Sequence, residues 1–532
     1  MEDHKRAVEL VSNNVKSFYN QNKPWRVYHG STSSTRTQNF SRQGVIDTSS
    51  LNHVLSVSKD TMTALVEPKV SMAQLVDATL EHGLMPPVVM EFPEITCGGG
   101  FSGTAAESSS FKHGLFEQTI KSIEIVLANG DIVRADETEN TELLHGAAGA
   151  FGTLGVITML EIELIPAQPL VQLSYVPVKS MAEAVKEMGK AMQAGSRNDF
   201  VDAIMFSPTS GVVMTGRLTV PVAFFRNFQA SRTRQTRFSR AWDPLFYQHV
   251  QSVLLRKDVT THTDMIPIRD YLFRYDRGAF WGAKYAWSHF LVPLNRITTF
   301  LLNPFLHTKT MYAALHKSGL AREYIIQDCV FPVKTAPKFV EYCQEELDFW
   351  PLWLCPLNYS KPVSPHGLHP NLFNFKEENS AVENETSWLC NVGIWGPGPR
   401  EREGFVRLNR KIEAKVQALG GVKTLYAHSY YTEKEFYEIY DKAKYEELRR
   451  KYHAERLPSV YEKVRVDVNE KVRLVDHIKD IWPLGGLYGV LSVLIGSNYV
   501  MANRLSMEDV MIPLLGLLGM LVALFIALSV AG

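Results

Sequence analysis

Through the first third of the chain, short apolar runs take turns with amphipathic ones. "PWRVYHG" and "TALVEPKV" are brief runs with β-branched residues and predict strands. "SMAQLVDATLEHG" carries a capping box, Ser71 with Gln74, and stops at Gly83, which predicts a helix. "KSIEIVLANGDIVRA" alternates and turns at Asn129-Gly130, the signature of a hairpin. "FGTLGVITMLEIELIPA" alternates from Val156 and ends this module near Pro166. Beyond Gln168, capped helices such as "SMAEAVKEMGKAM" (Ser180, Glu183) mix with strands such as "SGVVMTGRLTV" and "DCVFPVKTA". Aromatic clusters recur there in "GAFWGAKYAW" and "DFWPLWLCPLNY". "TEKEFYEIYDKAKYEELRRKY" predicts one long helix capped by Thr432 and Glu435, with Asp441 and Tyr445 at i and i+4 on one face. The expected organisation is a helical lead-in over 1–22, a first module over 23–167 and a larger second module over 168–423. A helical return over 424–470 and a membrane anchor within 481–532 complete it.

The anchor rests on apolar length. Val510–Gly532 carries no charge and is long enough for a hydrocarbon core that takes about 20 residues. Ile481–Met501 is also uncharged but holds four glycines and Asn498. Two arrangements follow: a single tail anchor behind an interfacial segment, or a hairpin of two spans. Lys471, Arg473 and Lys479 precede the first segment, whereas "NRLSMED" between the two is not basic, so the large upstream part is expected in the cytosol. The N-terminal "MEDHKRAVELVSNNVKSFYNQ" has no apolar core and reads as neither signal peptide nor signal anchor.

Composition narrows the classes. Hydrophobic residues at 45% and charged ones at 21% suit a globular protein with real cores. Lys plus Arg and Asp plus Glu both total 56, so no net charge points to nucleic acid. Five scattered cysteines without C-x-x-C spacing give neither a disulfide framework nor a zinc site; no metal is expected.

The candidate chemistry starts at "TCGGGFSGTAAESSSFKHGLF", where Gly98, Gly100 and Gly103 have the spacing G-x-G-x-x-G. A dinucleotide fingerprint of the Rossmann kind needs a buried strand before it and an apolar helix after it. "VVMEFPEIT" is interrupted by charge and proline, and "TAAESSSFKHG" is polar, so that reading fails. A loop of this kind still suits phosphates, since successive main-chain N–H groups form an anion-binding concavity. Thr104, Ser108 and Ser109 add hydroxyl donors. "HGSTSSTR" upstream and "GTLGVIT" downstream complete a constellation more specific than any one piece.

Those loops and their order resemble the FAD-binding module of the vanillyl-alcohol oxidase and p-cresol methylhydroxylase superfamily. "TCGGGFSGTAAESSSFKHGLF", "IEIVLANGDIVRA", "ENTELLHGAAGAFGTLGV", "IPIRDYLFRYDRGAFW", "IIQDCVFPV", "FWPLWLCPLNY" and "TLYAHSYYTEKEFYEIYDKAKYEELRRKY" more closely resemble the Δ24-sterol reductase family, from about Trp25 to Val464. The resemblance implies an α+β fold: a two-subdomain PCMH-type FAD module, an α/β cap (substrate) domain, and C-terminal transmembrane segment(s). It implies FAD contacts from Gly30, Ser31, Thr32, Ser33, Ser34 and Thr35. The main FAD segment, Thr96, Cys97, Gly98, Gly99, Gly103, Thr104, Ala105, Ala106, Glu107 and Ser108, and the strand start Gly155, Val156 and Ile157 complete the set. Ser33 stands where some oxidases of the superfamily carry a flavin-linked histidine, so non-covalent FAD is expected. NADPH is the implied reductant, a sterol the substrate, and the endoplasmic reticulum membrane the location, with membrane lipid as partner and the catalytic domain cytosolic. Two features depart from the family: animal members carry an N-terminal membrane segment, and "FFRNFQASRTRQTRFSRAW" is extra here, a solvated loop or a membrane contact.

The implied reaction adds a hydride to carbon 25 and a proton to carbon 24 of an isolated alkene. Its acid is sought in the return segment: Tyr445 with Asp441, or Tyr430 or His428 in "AHSYYTEKEF". Tyr445 and Asp441 serve equally well as domain-interface caps. Arg274 and Arg277 face a flavin or NADPH, or else pair with Asp276 or Asp270. Glu107 reads as an acceptor for main-chain N–H groups, or as a flavin or substrate contact. An oxygen-dependent FAD oxidase of a lipid or alcohol, and a non-catalytic sterol-binding membrane flavoprotein, are the alternative functions.

Overall fold

A computed structural model describes residues 1–30, 36, 40–193, 195–220, 235–256, 261–357, 388–468, 479 and 481–494 of the 532-residue chain. The first module holds β1 Arg26–Tyr28, β2 Val45–Asp47, β3 Val54–Ser58, β4 Thr63–Val66, β5 Leu84–Met85, β6 Ile120–Leu127, β7 Ile132–Asp136, β8 Gly155–Glu163 and β9 Ile165–Pro166. Five of these make an antiparallel sheet in the order β3-β4-β8-β6-β7, and β1 pairs with β2 in parallel beside it. The Asn129-Gly130 hairpin forms as its sequence predicts, with Gly130 at φ +91°. The Ser71–Gln74 capping box is likewise formed, at the start of Met72–Leu80.

The N-terminal helix Glu2–Asn20 buries His4, Val8, Val11, Ser12 and Val15, a stripe with helical period, against this module. His4 fixes it there, with Nδ1 2.8 Å from Glu67 and Nε2 3.2 Å from Glu124. Glu124 is thus taken up by the fold and by Thr158, rather than by a ribose.

The second module contributes β10 Leu170–Val178, β11 Phe200–Ser207, β12 Ser210–Thr219, β13 His262–Pro267, β14 Tyr324–Pro332, β15 Leu352–Leu357, β16 Leu389–Pro397 and β17 Val422–Lys423. They form one antiparallel sheet in the order β13-β10-β12-β11-β15-β16-β14-β17. Its two faces are buried differently. Leu352 and Leu354, Val392 and Ile394, and Cys329 and Phe331 pack under the helices Met181–Ala191, Ala336–Tyr342 and Arg402–Ala418. The alternate residues, Trp353, Cys355, Trp395, Ile326 and Val330, point toward the first module and join its core. The period of two in these strands therefore decides which side chains meet the first module.

Three elements differ from the sequence pattern. The helix expected from Thr432 is two helices, Glu433–Ile439 and Lys442–Lys451. Tyr440 between them is extended at φ −114°, ψ 138°, and Asp441 caps the second helix instead of continuing the first. The glycine run is not a loop: Cys97–Gly103 is a short helix capped by Thr96, whose hydroxyl accepts from the Gly99 N–H at 3.1 Å.

The third concerns Ile481–Met501. Within its described part, 481–494, the chain forms the helix Leu484–Leu494. Gly486 and Gly489 let it lie directly on Phe290 and on the Ala314 carbonyl, where an added Cβ would sit 2.7 and 2.5 Å away. Among the described residues no helix is long and apolar enough to cross a membrane. Val510–Gly532 lies outside the described residues.

Candidate active site

A cavity of about 360 Å³ lies between the two modules. Its roof is the inward face of three neighbouring strands: Asp328 and Val330 of β14, Trp353 and Leu357 of β15, Asn391 and Trp395 of β16. Strand alternation puts these side chains, and not their chain neighbours, on the cavity. Its floor is the first module, with Thr96, Gly98, Gly99, Gly103, Thr104, Ala105 and Ala106 on one side and Gly155 and Ile157 on the other. The residues 424–470 reach it through Thr424, Leu425, Tyr426, Tyr440 and Lys463.

The glycines have separate tasks. A Cβ on Gly98 would meet the Pro68 Cβ at 2.8 Å and the Pro68 carbonyl at 3.0 Å, so that glycine is a packing requirement. A Cβ on Gly103 would meet nothing within 4 Å, so that glycine leaves cavity space open. Basic side chains converge on the same end. Arg26, Arg36, Lys69 and Lys463 line it, and the Lys463 Nζ donates to the Phe151 carbonyl, with no acidic acceptor among the described residues. Burial, with Arg26 and Arg36 nearby, holds the Lys463 ammonium well below its ordinary value, and burial beside Arg26 brings Arg36 down to about 9. His29 is kept neutral, pushed down to about 4 by burial and then by Lys69 and Lys463, and its buried Nδ1 has no partner among the described residues. A crowded, desolvated set of cations beside open backbone is a setting that a diphosphate relieves. The donor set therefore fits the phosphates of FAD.

Another part of the wall is acidic and aromatic. Glu91 lines the cavity, and no other side chain bonds its carboxyl among the described residues. Burial pushes that carboxyl up to about 8, with Glu107 and Asp328 adding to the effect, so it holds its proton at neutral pH. Asp328 is raised by burial as well, and accepts from Asn391 Nδ2 at 2.8 Å and from the Tyr426 hydroxyl at 2.7 Å. Phe92, Trp353 and Trp395 supply aromatic faces beside them.

"FRYDRGAFW" supports this part from behind. Arg274 meets neither Asp276 nor Asp270; its Nη2 donates to Asp202 Oδ2 at 2.9 Å and stands 3.7 Å from Glu107. The same carboxylate oxygen accepts from the Tyr275 hydroxyl at 2.8 Å and from Trp353 Nε1 at 3.2 Å, which fixes the tryptophan on the cavity wall. Arg277 donates to the Phe238, Ala241 and Asp243 carbonyls and to Asn303 instead of pairing with an acid. Asp270 is taken by Arg237 and Asp276 by His307.

Other residues singled out in the sequence fall away from the cavity wall. Cys97 and Val156 are buried in the first module's core. Glu107 accepts from the Ser108 N–H, and the Ser108 carbonyl accepts from the Val201 N–H at 2.8 Å, so this pair joins the modules. Gly30 is described, at φ +83°, whereas Ser31, Thr32, Ser33, Ser34 and Thr35 lie outside the described residues. Much of the Arg-rich stretch lies outside them too.

The four acid candidates are not on the wall either. The Tyr445 hydroxyl donates to Thr153 Oγ1 at 2.8 Å and accepts from the Val460 N–H at 3.0 Å. Asp441 is a helix cap, accepting from the Lys444 N–H at 3.1 Å. Tyr430 packs against Phe405 on the far side of the large sheet. His428 is pushed down to about 3 by burial and then Lys423, so it is the neutral imidazole at neutral pH. Three acids line the cavity, Glu91, Glu94 and Asp328, and the sequence pattern singles out none of them as a proton donor. For Glu91 and Asp328 the one signal is an acid inside an otherwise apolar run, "VVMEFP" and "IIQDCVF". Lys463 left no signal at all.

One cluster elsewhere has metal-ligand character, with ligand atoms of His249, His262 and Asp264 within 4.8 Å of one another. His249 Nε2 is at hydrogen-bond distance from Asp264, 2.7 Å, and the Arg256 guanidinium stands 2.9 Å from His262 Nδ1. A guanidinium already supplies the positive charge there.

The fold and the cavity define a two-module flavoprotein, and a family model described as an FAD binding domain matches residues 6–136. Delta(24)-sterol reductase of Arabidopsis thaliana is 30% identical over 431 residues, 77% of this chain and 74% of that protein. Delta(24)-sterol reductase of Homo sapiens is 29% identical over 423 residues, 78% and 76% respectively, and that of Pisum sativum 29% over 434 residues, 77% and 74%. The chain belongs to the Delta(24)-sterol reductase family.

Proposed function

We propose that this chain reduces the side-chain Δ24 double bond of a sterol or related triterpenoid, using FAD and NADPH. We place it at the endoplasmic reticulum membrane, with its catalytic modules on the cytosolic side. The observation that carries the reading is one cavity between the modules, lined by a cluster of cations, by the glycine helix, and by a neutral acid with aromatic faces.

An isolated alkene has no carbonyl to polarise it, so reduction needs a proton at carbon 24 and a hydride at carbon 25. FAD, when bound, would supply the hydride, with NADPH as the reductant. Arg26, Arg36, Lys69 and Lys463 hold the cofactor's phosphates, and Gly103 leaves room for it. Glu91 holds the proton that carbon 24 takes, and its carboxylate is afterwards the site to be reprotonated. Trp353, fixed by Asp202, and Trp395 turn π faces toward the tertiary carbon where positive charge develops, an attraction of about 0.5–2 kcal/mol.

Anaerobic mixing tests the reading. NADPH is expected to bleach the flavin absorbance, and a 24-unsaturated sterol to restore it with formation of the saturated product. Restoration by oxygen alone would make the protein an oxidase. Sterol binding without any bleaching would make it a non-catalytic flavoprotein.

A further inference from the structure

Between Asp276 and Glu323 the chain carries no acidic residue, while Lys284 and Arg296 are basic and exposed. The same stretch leaves large apolar side chains in water: Leu291 is 76% exposed, Ile297 71%, Phe300 50% and Leu301 66%. Ile297, Phe300 and Leu301 sit at i, i+3 and i+4 of the helix Arg296–Leu301, and so share one face. That helix is firmly started, with Asn295 accepting from the Ile297 and Thr298 N–H groups, yet Thr299 is its sole buried residue. An ordered helix with an apolar face turned outward signals a surface that something covers.

What covers it is indicated by the C-terminal chain. Trp482, itself 50% exposed, donates from Nε1 to the His289 carbonyl at 2.7 Å, two residues before Leu291. The helix Leu484–Leu494 then lies on Phe290 and on the helix Thr308–Ser318, and the described chain ends there at the exposed Leu494. Residues 495–532 follow in sequence, and among them the uncharged run Val510–Gly532 is long enough to cross a bilayer.

We infer that this basic, apolar-tipped face, Leu291 with the helix Arg296–Leu301 and Ile481–Trp482, docks on the surface of a bilayer containing anionic phospholipid. Its apolar side chains enter the headgroup boundary while Lys284 and Arg296 meet the lipid charge. The docked face also sets the cavity's position. The helix Thr308–Ser318 carries Tyr312 on the cavity wall, and its Lys309 pairs with the cavity residue Glu94 at 3.0 Å. A lipid-borne substrate thus reaches the cavity from the bilayer beside that helix, a consequence that rests on the sterol reading above.

The test uses the full chain in vesicles of phosphatidylcholine and phosphatidylserine. All five native cysteines are buried, so a polarity-sensitive thiol dye can be placed by Ile297→Cys or Phe300→Cys, with Lys59→Cys in the first module as reference. The dye at 297 and 300 is expected to shift to the blue and to be quenched severalfold by lipid-borne nitroxide, and at 59 to do neither. Equal behaviour at all three positions overturns docking, whether or not any sterol is turned over. Equal quenching in pure phosphatidylcholine overturns the charge part of the inference. Shielding of 297 and 300 in lipid-free detergent, with a doubled mass in light scattering, would make the face a contact between two copies instead. A triple variant, I297E/F300E/L301E, is expected to raise KM about tenfold for sterol in vesicles while leaving NADPH-driven bleaching unchanged. If sterol is not turned over at all, the function fails and the dye result still decides docking.

Discussion

At the residue scale, burial without an ionic partner is what prepares a group for proton transfer. Glu91 is raised to about 8 from an ordinary 4.5 because the cavity removes water and adds negative neighbours. A raised carboxyl favours its protonated form, so the supply of proton is full at low pH and falls as pH rises through about 8. Any stability that the neutral form contributes is lost over the same climb from the ordinary carboxyl range. Glu91→Gln should therefore lower the rate of sterol-driven flavin reoxidation by about 10²–10⁴ and remove the alkaline limb near 8 from the pH profile, with sterol KM little changed. Tyr445→Phe is the contrasting case. Losing the bonds to Thr153 and the Val460 N–H should cost about 1–2 kcal/mol in thermal or denaturant unfolding, with reoxidation within a few-fold of the native rate.

At the element scale, the short helix Cys97–Gly103 combines packing and space along one run of glycines. Gly98→Ala should destabilise the cofactor-free chain by about 1–3 kcal/mol, because its Cβ lands on Pro68, backbone included. Gly103→Leu should leave cofactor-free stability within about 0.5 kcal/mol, since its Cβ meets nothing, yet reduce flavin content of the purified protein at least tenfold. Equal flavin content in both variants, scored against folded protein, would remove the glycine helix from the cofactor's site. The split of the predicted long helix belongs to this scale as well. Thr432 and Asp441 are both good caps, and the sequence alone does not say whether the second interrupts a helix or rides along it. Tyr440 decides the matter by taking an extended backbone and packing its ring near Phe436, centroids 4.5 Å apart.

At the scale of the whole molecule, the cavity belongs to neither module alone. Phosphate-side residues come from the first module and from Lys463; the acids come from "VVMEFPE" and from β14 of the large sheet. A ligand that bridges two modules stabilises their union in proportion to its occupancy. FAD added to cofactor-stripped protein at about a hundredfold its Kd should contribute about 2.7 kcal/mol. It should also draw separate melting steps of the modules into one in calorimetry. A rise confined to the first module's melting would mean that the cofactor does not span the cavity.

The sequence by itself determined the elements and the cofactor class. Capping boxes at Ser71 and Thr432, the Asn129-Gly130 turn and the alternating strands are local, set by neighbours three or four residues apart, and so can be read along the chain. The glycine run and its flanking loops suited phosphates for the same reason, and their resemblance to a known family implied FAD. Which acids face the cavity was not legible there: Tyr445, Asp441, Tyr430 and His428 suit proton transfer by type, but a place on the cavity wall is set by what surrounds a residue. Only the tertiary structure decided that, by turning alternate residues of β14, β15 and β16 toward the first module. It enclosed Glu91 beneath them and brought Lys463 across the chain to Arg36. Burial and charge act through space, and a linear pattern carries neither.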